Sequence, residues 1–287
     1  AYTTADPRLK PFYKYPVTLE AFESVIRDKA FDQGRRETLV RALKAQYEGK
    51  ELSDLTSSRI DALLEANTYT VTTAHQPSLF TGPLYYIYKI ISTLNLAARL
   101  GKTYPDYNFV PIFITGGEDH DFEEVNHLHI FGKTVTWEND HSGSVGQMPL
   151  DGLQKALDTL VDIMGDSPSA QELTELFKAA LEGKTKYSEV AFDLTHRLLG
   201  EYDLVILDPS QPDLKASFAP FIQKEIFEQP SKSLVEGTVK ELEAAGFSEQ
   251  AYPREINFFY LGEGFRERIV QEGGTFKVLN QDVTWTE

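Results

Sequence analysis

One nearly unbroken apolar run, NFVPIFITG at residues 108–116, restricts this chain more than any other feature. A strand that apolar has no solvent face, and such strands occur in parallel sheets covered on both sides. Before it come TYTVTTA, a β-branched run, and a helical pattern from about Pro83 to Leu100, with Gly101 as the expected stop. Strand, helix and buried strand make a βαβ unit. A third apolar run, YDLVILDPS, adds a further buried strand that ends at Asp208. The predicted class is therefore α/β, a parallel-sheet core with helical and small β insertions.

The rest of the chain arranges around that core. DPRLKPFYKYPV reads as an extended arm, and apolar spacings of three and four from Thr18 to about Ala66 predict two or three amphipathic helices. Thr18 is the expected N-cap of the first. HLHIFGKTVTWEN predicts a hairpin turning at Gly132 and Lys133. Residues 150–200 read as helices broken at GDSPS and EGKTK, and two more helices and two short hairpins follow Asp208. The expected divisions are an N-terminal arm with helices over 1–66, a core over 67–215 with a helical insertion at about 140–200, and a connecting piece over 216–287.

Composition narrows the function. With a formal charge of −16 and no basic patch, the surface repels phosphate backbones, so nucleic acid is not an expected partner. No apolar run reaches the ~20 residues a bilayer span needs, so no membrane partner is expected either. The absence of cysteine excludes disulfides, thiolate metal sites and a cysteine nucleophile within these 287 residues. A cytoplasmic protein fits these facts. The chain lacks an initiator Met and stops after a strand-like run, so it is expected to be a piece of a longer protein.

Ligands in open α/β sheets bind beyond the carboxyl ends of the strands. All three predicted parallel strands end there in polar clusters: AHQPSLFTGP, GGEDHD and DPSQPD. In the first, His75, Gln76, Ser78, Thr81 and Gly82 lie where helix-start N–H groups attract anions, although small polar residues also serve as ordinary caps. It is neither a Walker nor a dinucleotide fingerprint. In the second, Glu118, Asp119, His120 and Asp121 follow two glycines, with Glu123, Glu124, Asn126, His127 and His129 close behind. Four consecutive ionisable residues at a buried strand end suit acid–base or substrate-gripping work. Their spacing matches no metal motif, and no metal ligands are assigned. Asp208 either orients a substrate group or merely opens a turn. Lys89, Arg266 and Arg268 are weaker candidates for holding an anion.

The stretches AHQPSLFTGPLYYIYKIISTLNLA and FVPIFITGGEDHDFEEVNH resemble the bacillithiol biosynthesis cysteine-adding enzymes, a ligase-like family. Its two hallmarks are His-Gln-Pro-x-Leu-Phe-x-Gly-Pro and Gly/Ala-Glu-Asp-His-Asp-Phe-x-Glu. Both stand nearly intact within residues 71–89 and 112–126. Looser likeness extends to LKPFYKYP, LVILDPS and INFFYLGEGFRERI. The resemblance implies a Rossmann-like core related to nucleotidyl transferases and aminoacyl-tRNA synthetases. It also implies a C-terminal coiled-coil half, absent here, that makes a homodimer, so these residues alone are expected to be monomeric and largely inactive.

The implied reaction joins the carboxylate of L-cysteine to the amine of glucosaminyl-malate. ATP with Mg²⁺ is the candidate source of activation, and no transition metal is expected. A histidine at the first strand–helix turn of the transferase relatives touches phosphates. His75 stands in that place, while Gln-Pro-Ser replaces the second histidine of their pattern. The resemblance thus implies that His75 and Gln76 grip an anionic group, with Ser78, Thr81, Gly82, Asp121, Asn126 and Asp208 around the ligand. Glu118, Asp119 and His120 would handle the amine or a metal-bound phosphate. A nucleotidyl transferase for another small molecule and a non-catalytic anion-binding domain are the alternatives.

Overall fold

The computed structural model describes residues 1–286. The chain opens with three helices, α1 (Ala21–Asp28), α2 (Gln33–Gln46) and α3 (Asp54–Ala62). Then come β1 (Thr68–His75), α4 (Tyr85–Thr103) and β2 (Asn108–Thr115). A long insertion follows: α5 (Phe122–Val125), the hairpin β3 (His127–Ile130) and β4 (Lys133–Thr136), α6 (Leu153–Met164), α7 (Pro168–Leu181) and α8 (Tyr187–Leu199). The chain continues with β5 (Val205–Leu207), α9 (Pro212–Glu228), α10 (Pro230–Ala244), β6 (Phe259–Gly262), β7 (Phe265–Glu272), β8 (Thr275–Val278) and β9 (Thr284–Trp285).

Contacts gather these elements into two compact units. One holds residues 32–215 with 262–265; the other holds 1–31, 216–261 and the chain from 266 on. The segment 1–66 is thus divided between them, with α1 in one unit and α2 and α3 in the other.

The larger unit is built on a three-stranded parallel sheet of order β1-β2-β5. β2 lies in the middle, and its residues from Phe109 to Phe113 are all buried, as its composition predicts. α4 crosses from β1 to β2, and its Tyr86 hydroxyl meets that of Thr195 in α8 at 2.8 Å. Leu43, Tyr47, Ile60, Ile90, Phe113, Phe192 and Ile206 close one apolar core around the sheet. Trp137, Tyr187, Leu153 and Leu157 centre a second core, inside the insertion.

The outer edge of β5 is closed by side chains. The Tyr47 hydroxyl accepts from Ile206 N–H at 2.8 Å. Gln46 donates from Nε2 to the Ile206 carbonyl, and its Oε1 accepts from Asp208 N–H, each at 2.8 Å. In this way α2 supplies the partners that another strand would otherwise provide.

In the smaller unit β6 to β9 form one four-stranded sheet, with β7, β8 and β9 antiparallel. Ile226, Ile256, Ile269 and Phe276 form its core. The buried Glu225 carboxylate ties that unit together, accepting from Ser231 Oγ at 2.6 Å and from Asn257 Nδ2 at 2.7 Å.

Four local expectations change. The arm is not extended: Tyr2–Thr4 and Pro7–Phe12 are 3₁₀ turns, the second capped by the Asp6 side chain. α1 begins at Ala21 with Glu20 at its N-cap, so Thr18 lies outside it. α4 runs through Gly101 to Thr103, because Leu100 is fully buried and anchors its last turn. The β3–β4 turn is centred on Phe131 and Gly132, whose φ values of 49° and 74° give the mirror-image turn that suits a two-residue hairpin.

The closed edge of β5 yields a test. Tyr47→Phe leaves the buried Ile206 N–H without an acceptor. It is expected to lower the unfolding free energy by ~1–3 kcal/mol. Urea denaturation at unchanged slope reads this loss. An unchanged midpoint would mean that water or a shifted Gln46 replaces the hydroxyl.

Candidate active site

β1 and β2 pair in parallel from Thr68↔Asn108 to His75↔Thr115, so the turns after them leave the sheet side by side. Gly116 N–H donates to the His75 carbonyl at 2.7 Å. A Cβ on Gly116 would lie 2.9 Å from that oxygen, so only glycine lets the turns stay this close.

His75, the last residue of β1, is 8% exposed, with its ring 5.0 Å from that of Tyr85 and 5.2 Å from that of Tyr86. Its Nδ1 lies 2.8 Å from the Gln76 carbonyl. A carbonyl only accepts, so Nδ1 carries the proton and Nε2 holds the lone pair. Burial lowers the pKa of this imidazole, and the nearby Lys89 ammonium lowers it further, while the bond to Gln76 opposes them. His75 is therefore a neutral imidazole at pH 7, whose Nε2 can accept a hydrogen bond.

Gln76 crosses to the second turn. Its Nε2 donates to Asp119 Oδ2 at 2.8 Å and to Glu124 Oε2 at 2.9 Å. Both partners are carboxylates, so the amide orientation follows from chemistry: the NH₂ must face them. Asp119 Oδ1 accepts from the backbone N–H of His120 at 2.7 Å and of Asp121 at 3.3 Å. The His120 Nδ1 lies 3.5 Å from the same oxygen, and its ring is half exposed. Asp119 thus organises the turn and orients His120. Glu118 pairs with Lys215.

The insertion braces this turn with its own backbone. Val145 N–H donates to the Asp119 carbonyl at 2.7 Å, and Gly146 N–H to the Gly117 carbonyl at 2.8 Å. A Cβ on Gly146 would lie 2.9 Å from both Gly117 Cα and Gly117 O.

The structure brings His75, Gln76, Glu118, Asp119 and His120 onto two adjacent turns. It gives the remaining candidates structural work. Ser78 is buried, and its carbonyl accepts from the Tyr187 hydroxyl at 3.2 Å. Thr81 N–H and Gly82 N–H bond to the Ser78 and Leu79 carbonyls inside the turn. Gly82 is needed for packing, since a Cβ there would come within 2.9 Å of Leu128 Cβ. Asp121 caps α5 through Glu124 N–H, and the Asn126 carbonyl accepts from Trp137 N–H at 2.7 Å.

Asp208 follows the neighbouring strand, where its Oδ1 accepts from Ser210 N–H at 2.9 Å in a local turn. Lys89 Nζ donates to the Ala74 carbonyl at 3.0 Å. The Arg266 guanidinium lies 3.8 Å over the Phe259 ring within the smaller unit. Glu124, read in the acidic cluster, joins the site through Gln76. Lys215 and Gly146 are the additions that the sequence reading left out, since nothing in the pattern joined either to a turn so far along the chain. Among the described residues no group of three or more His, Cys, Asp or Glu side chains is arranged to hold a metal ion.

Known proteins share this arrangement of sequence. The family described as bacillithiol biosynthesis BshC, N-terminal Rossmann-like domain, matches residues 1–287. The chain is 39% identical over 288 residues to a protein of Flavobacterium johnsoniae named "Putative cysteine ligase BshC", covering 100% of this chain and 54% of that protein. A protein of the same name from Flavobacterium psychrophilum is 39% identical over 289 residues, with the same coverage. One from Cytophaga hutchinsonii is 35% identical over 285 residues, covering 99% of this chain and 53% of its own length. The chain spans about half the length of the curated relatives it matches.

The buried histidine carries a pH prediction. NMR titration of the His75 ring is expected to give a midpoint below the ordinary histidine value of about 6.5. Because its pKa is depressed on folding, the folded chain binds fewer protons here than the unfolded one. The stability this contributes is full above the unfolded pKa and is lost as the pH falls from there toward the folded value. The loss of stability below pH 6.5 should be shallower in His75→Asn than in the unaltered protein. A midpoint at or above the ordinary value would contradict the buried neutral ring.

Proposed function

Since the chain belongs to the bacillithiol biosynthesis BshC family, as its N-terminal Rossmann-like domain, we propose that the full-length protein is a cysteine ligase. It joins the carboxylate of L-cysteine to the amine of glucosaminyl-malate, forming an amide. The observation that carries this reading is the Gln76 bridge to Asp119 and Glu124, which makes one site of the two motif turns.

In this reading the work divides by what each side chain still has to offer. Both oxygens of Asp119 are engaged with N–H donors, so Asp119 positions Gln76 and His120 and is not itself the base. His120, half exposed beside Asp119, takes the proton that the attacking amine must lose. His75 presents a neutral imidazole that accepts a proton from the substrate or, once protonated, holds an anionic oxygen. Lys215 keeps Glu118 paired, so the turn meets an anionic substrate with one carboxylate already neutralised.

Amide formation from a free carboxylate is uphill in water, and ATP with Mg²⁺ is the proposed source of the activation. Among the described residues no group of three or more His, Cys, Asp or Glu side chains is arranged to hold a metal ion. No step is therefore assigned to the ion. The chain has no cysteine, so any thiol in the reaction belongs to the substrate and not to these residues. The proposed partners are the two small-molecule substrates and a second copy of the full-length protein, in the cytoplasm. Among the described residues no helix is long and apolar enough to cross a membrane.

The test uses full-length protein with ATP, Mg²⁺, L-cysteine and glucosaminyl-malate, with mass spectrometry of the product. Product is expected from the unaltered protein. A loss of at least ~100-fold in kcat/KM is expected for His75→Ala and Asp119→Ala, each checked for native circular dichroism. Product at undiminished rate in folded variants would keep the reaction and refute this site. No product under any activating condition would favour an anion-binding domain, and a different product mass would favour another transferase.

A further inference from the structure

The two motif turns are rich in acid and carry no cation of their own. Glu118, Asp119, Asp121, Glu123 and Glu124 follow β2, while residues 76–84 and 116–126 contain no lysine or arginine. Yet the substrates proposed above are themselves anions. L-cysteine brings one carboxylate and glucosaminyl-malate brings two. Holding a further carboxylate beside so many others is costly unless a cation lies within contact distance. That cation must reach the turns from elsewhere in the fold.

Three cations touch residues at the carboxyl ends of the strands or just beyond them. Arg41 donates to Asp213 at 3.0 Å, and Lys89 donates to the Ala74 carbonyl at 3.0 Å. Lys215 is different, because its ammonium meets the Glu118 carboxylate on the acidic turn itself. An ammonium has three N–H donors, and Glu118 is the one acceptor that Lys215 Nζ has among the described residues. The Lys215 side chain is 44% exposed, so its remaining donors are open to a ligand. It also stands in the first turn of α9, where the helix dipole disfavours a positive charge. The needs of the helix therefore do not explain a lysine at this position.

We propose that Lys215 binds a malate carboxylate of glucosaminyl-malate, and so selects the malate-bearing amine over other amino sugars. This inference rests on the reaction proposed above. In that substrate the amine and the malate are carried on neighbouring carbons of the sugar. In the protein His120, the group assigned to take the proton of the amine, lies two residues after Glu118, which holds the cation. One turn thus offers a base for the amine and a cation for the carboxylate next to it. A compact ammonium suits this place, because it can sit between two carboxylates without the fixed fork geometry of a guanidinium. Glu118 is then a positioning residue that holds Lys215 over the turn.

Steady-state kinetics of the full-length protein with two amine substrates, glucosaminyl-malate and methyl glucosaminide, test the assignment. The second keeps the sugar and the amine but lacks both carboxylates. Lys215→Gln is expected to raise KM for glucosaminyl-malate at least ~10-fold, with kcat and the KM for L-cysteine changed less than ~2-fold. The kcat/KM for methyl glucosaminide, low in the unaltered protein, is expected to stay the same in the variant. Lys215→Arg should restore most of the lost affinity. A loss shared equally by both amines in a folded variant would give Lys215 a structural role only and overturn the proposal. An unchanged KM would overturn it as well. Calorimetry of glucosaminyl-malate binding without ATP separates this inference from the reaction it rests on. Weaker binding in Lys215→Gln supports the contact whatever product is formed. Correct product with undiminished binding refutes the contact and keeps the reaction, and no binding to the unaltered protein overturns both.

Discussion

Eight residues of in-register parallel pairing between β1 and β2 hold the rest of this site in place. Because His75 stands opposite Thr115, two turns that are distant in the chain emerge at the same height. Only then can an uncharged amide, Gln76, sit between two carboxylates and donate to both. A one-residue slip would turn every β1 side chain to the opposite face, carrying His75 away from Tyr86 and Gln76 away from Asp119. The glycine at 116 belongs to the same constraint, since the pairing brings its backbone against the His75 carbonyl.

The chain is strongly acidic, yet the acids at this site are not a loose cluster. Glu118 has Lys215, Asp119 has one amide and two backbone N–H groups, Glu124 has Gln76, and Asp121 has the first turn of α5. Each carboxylate is held by a donor before any substrate arrives. Such prior arrangement lets a site act on charge that develops during a reaction without first reorganising itself. The neutral His75 fits the same scheme, because a buried imidazolium would have needed a counter-charge that its apolar and aromatic surroundings do not offer.

Much of this was legible in the sequence, for identifiable reasons. An apolar run such as NFVPIFIT admits few folds, and three strand-like runs each ending in polar residues marked the edge of the sheet where the proposed site lies. His75 and the Glu118–Asp121 cluster could be found because buried strand ends seldom carry such groups idly. The roles of individual members were less legible. Ser78, Thr81 and Gly82 have the composition of a phosphate-binding turn, but their use inside the turn depends on where Leu79, Leu128 and Tyr187 pack. Those contacts are tertiary and leave no local periodicity. Lys215 was hidden for the same reason, lying 97 positions after Glu118 in an ordinary helical pattern. Gly101 illustrates the opposite case, where a strong local stop is overridden by one well-buried leucine.

The contact between Gly117 and Gly146 sets limits on how this protein can change. The insertion between β2 and β5 contains loops whose glycines, at 165 and 183, have open space around them, so a Cβ there would meet no neighbour within 4 Å. At position 146 not even a methyl group fits, because the insertion lies backbone to backbone against the turn that carries Glu118 and Asp119. The insertion is thus sterically open at these two loop positions and closed at its point of contact. In a designed library the insertion would therefore be pinned at one backbone position, Gly146, where any side chain would push the Gly117 turn away.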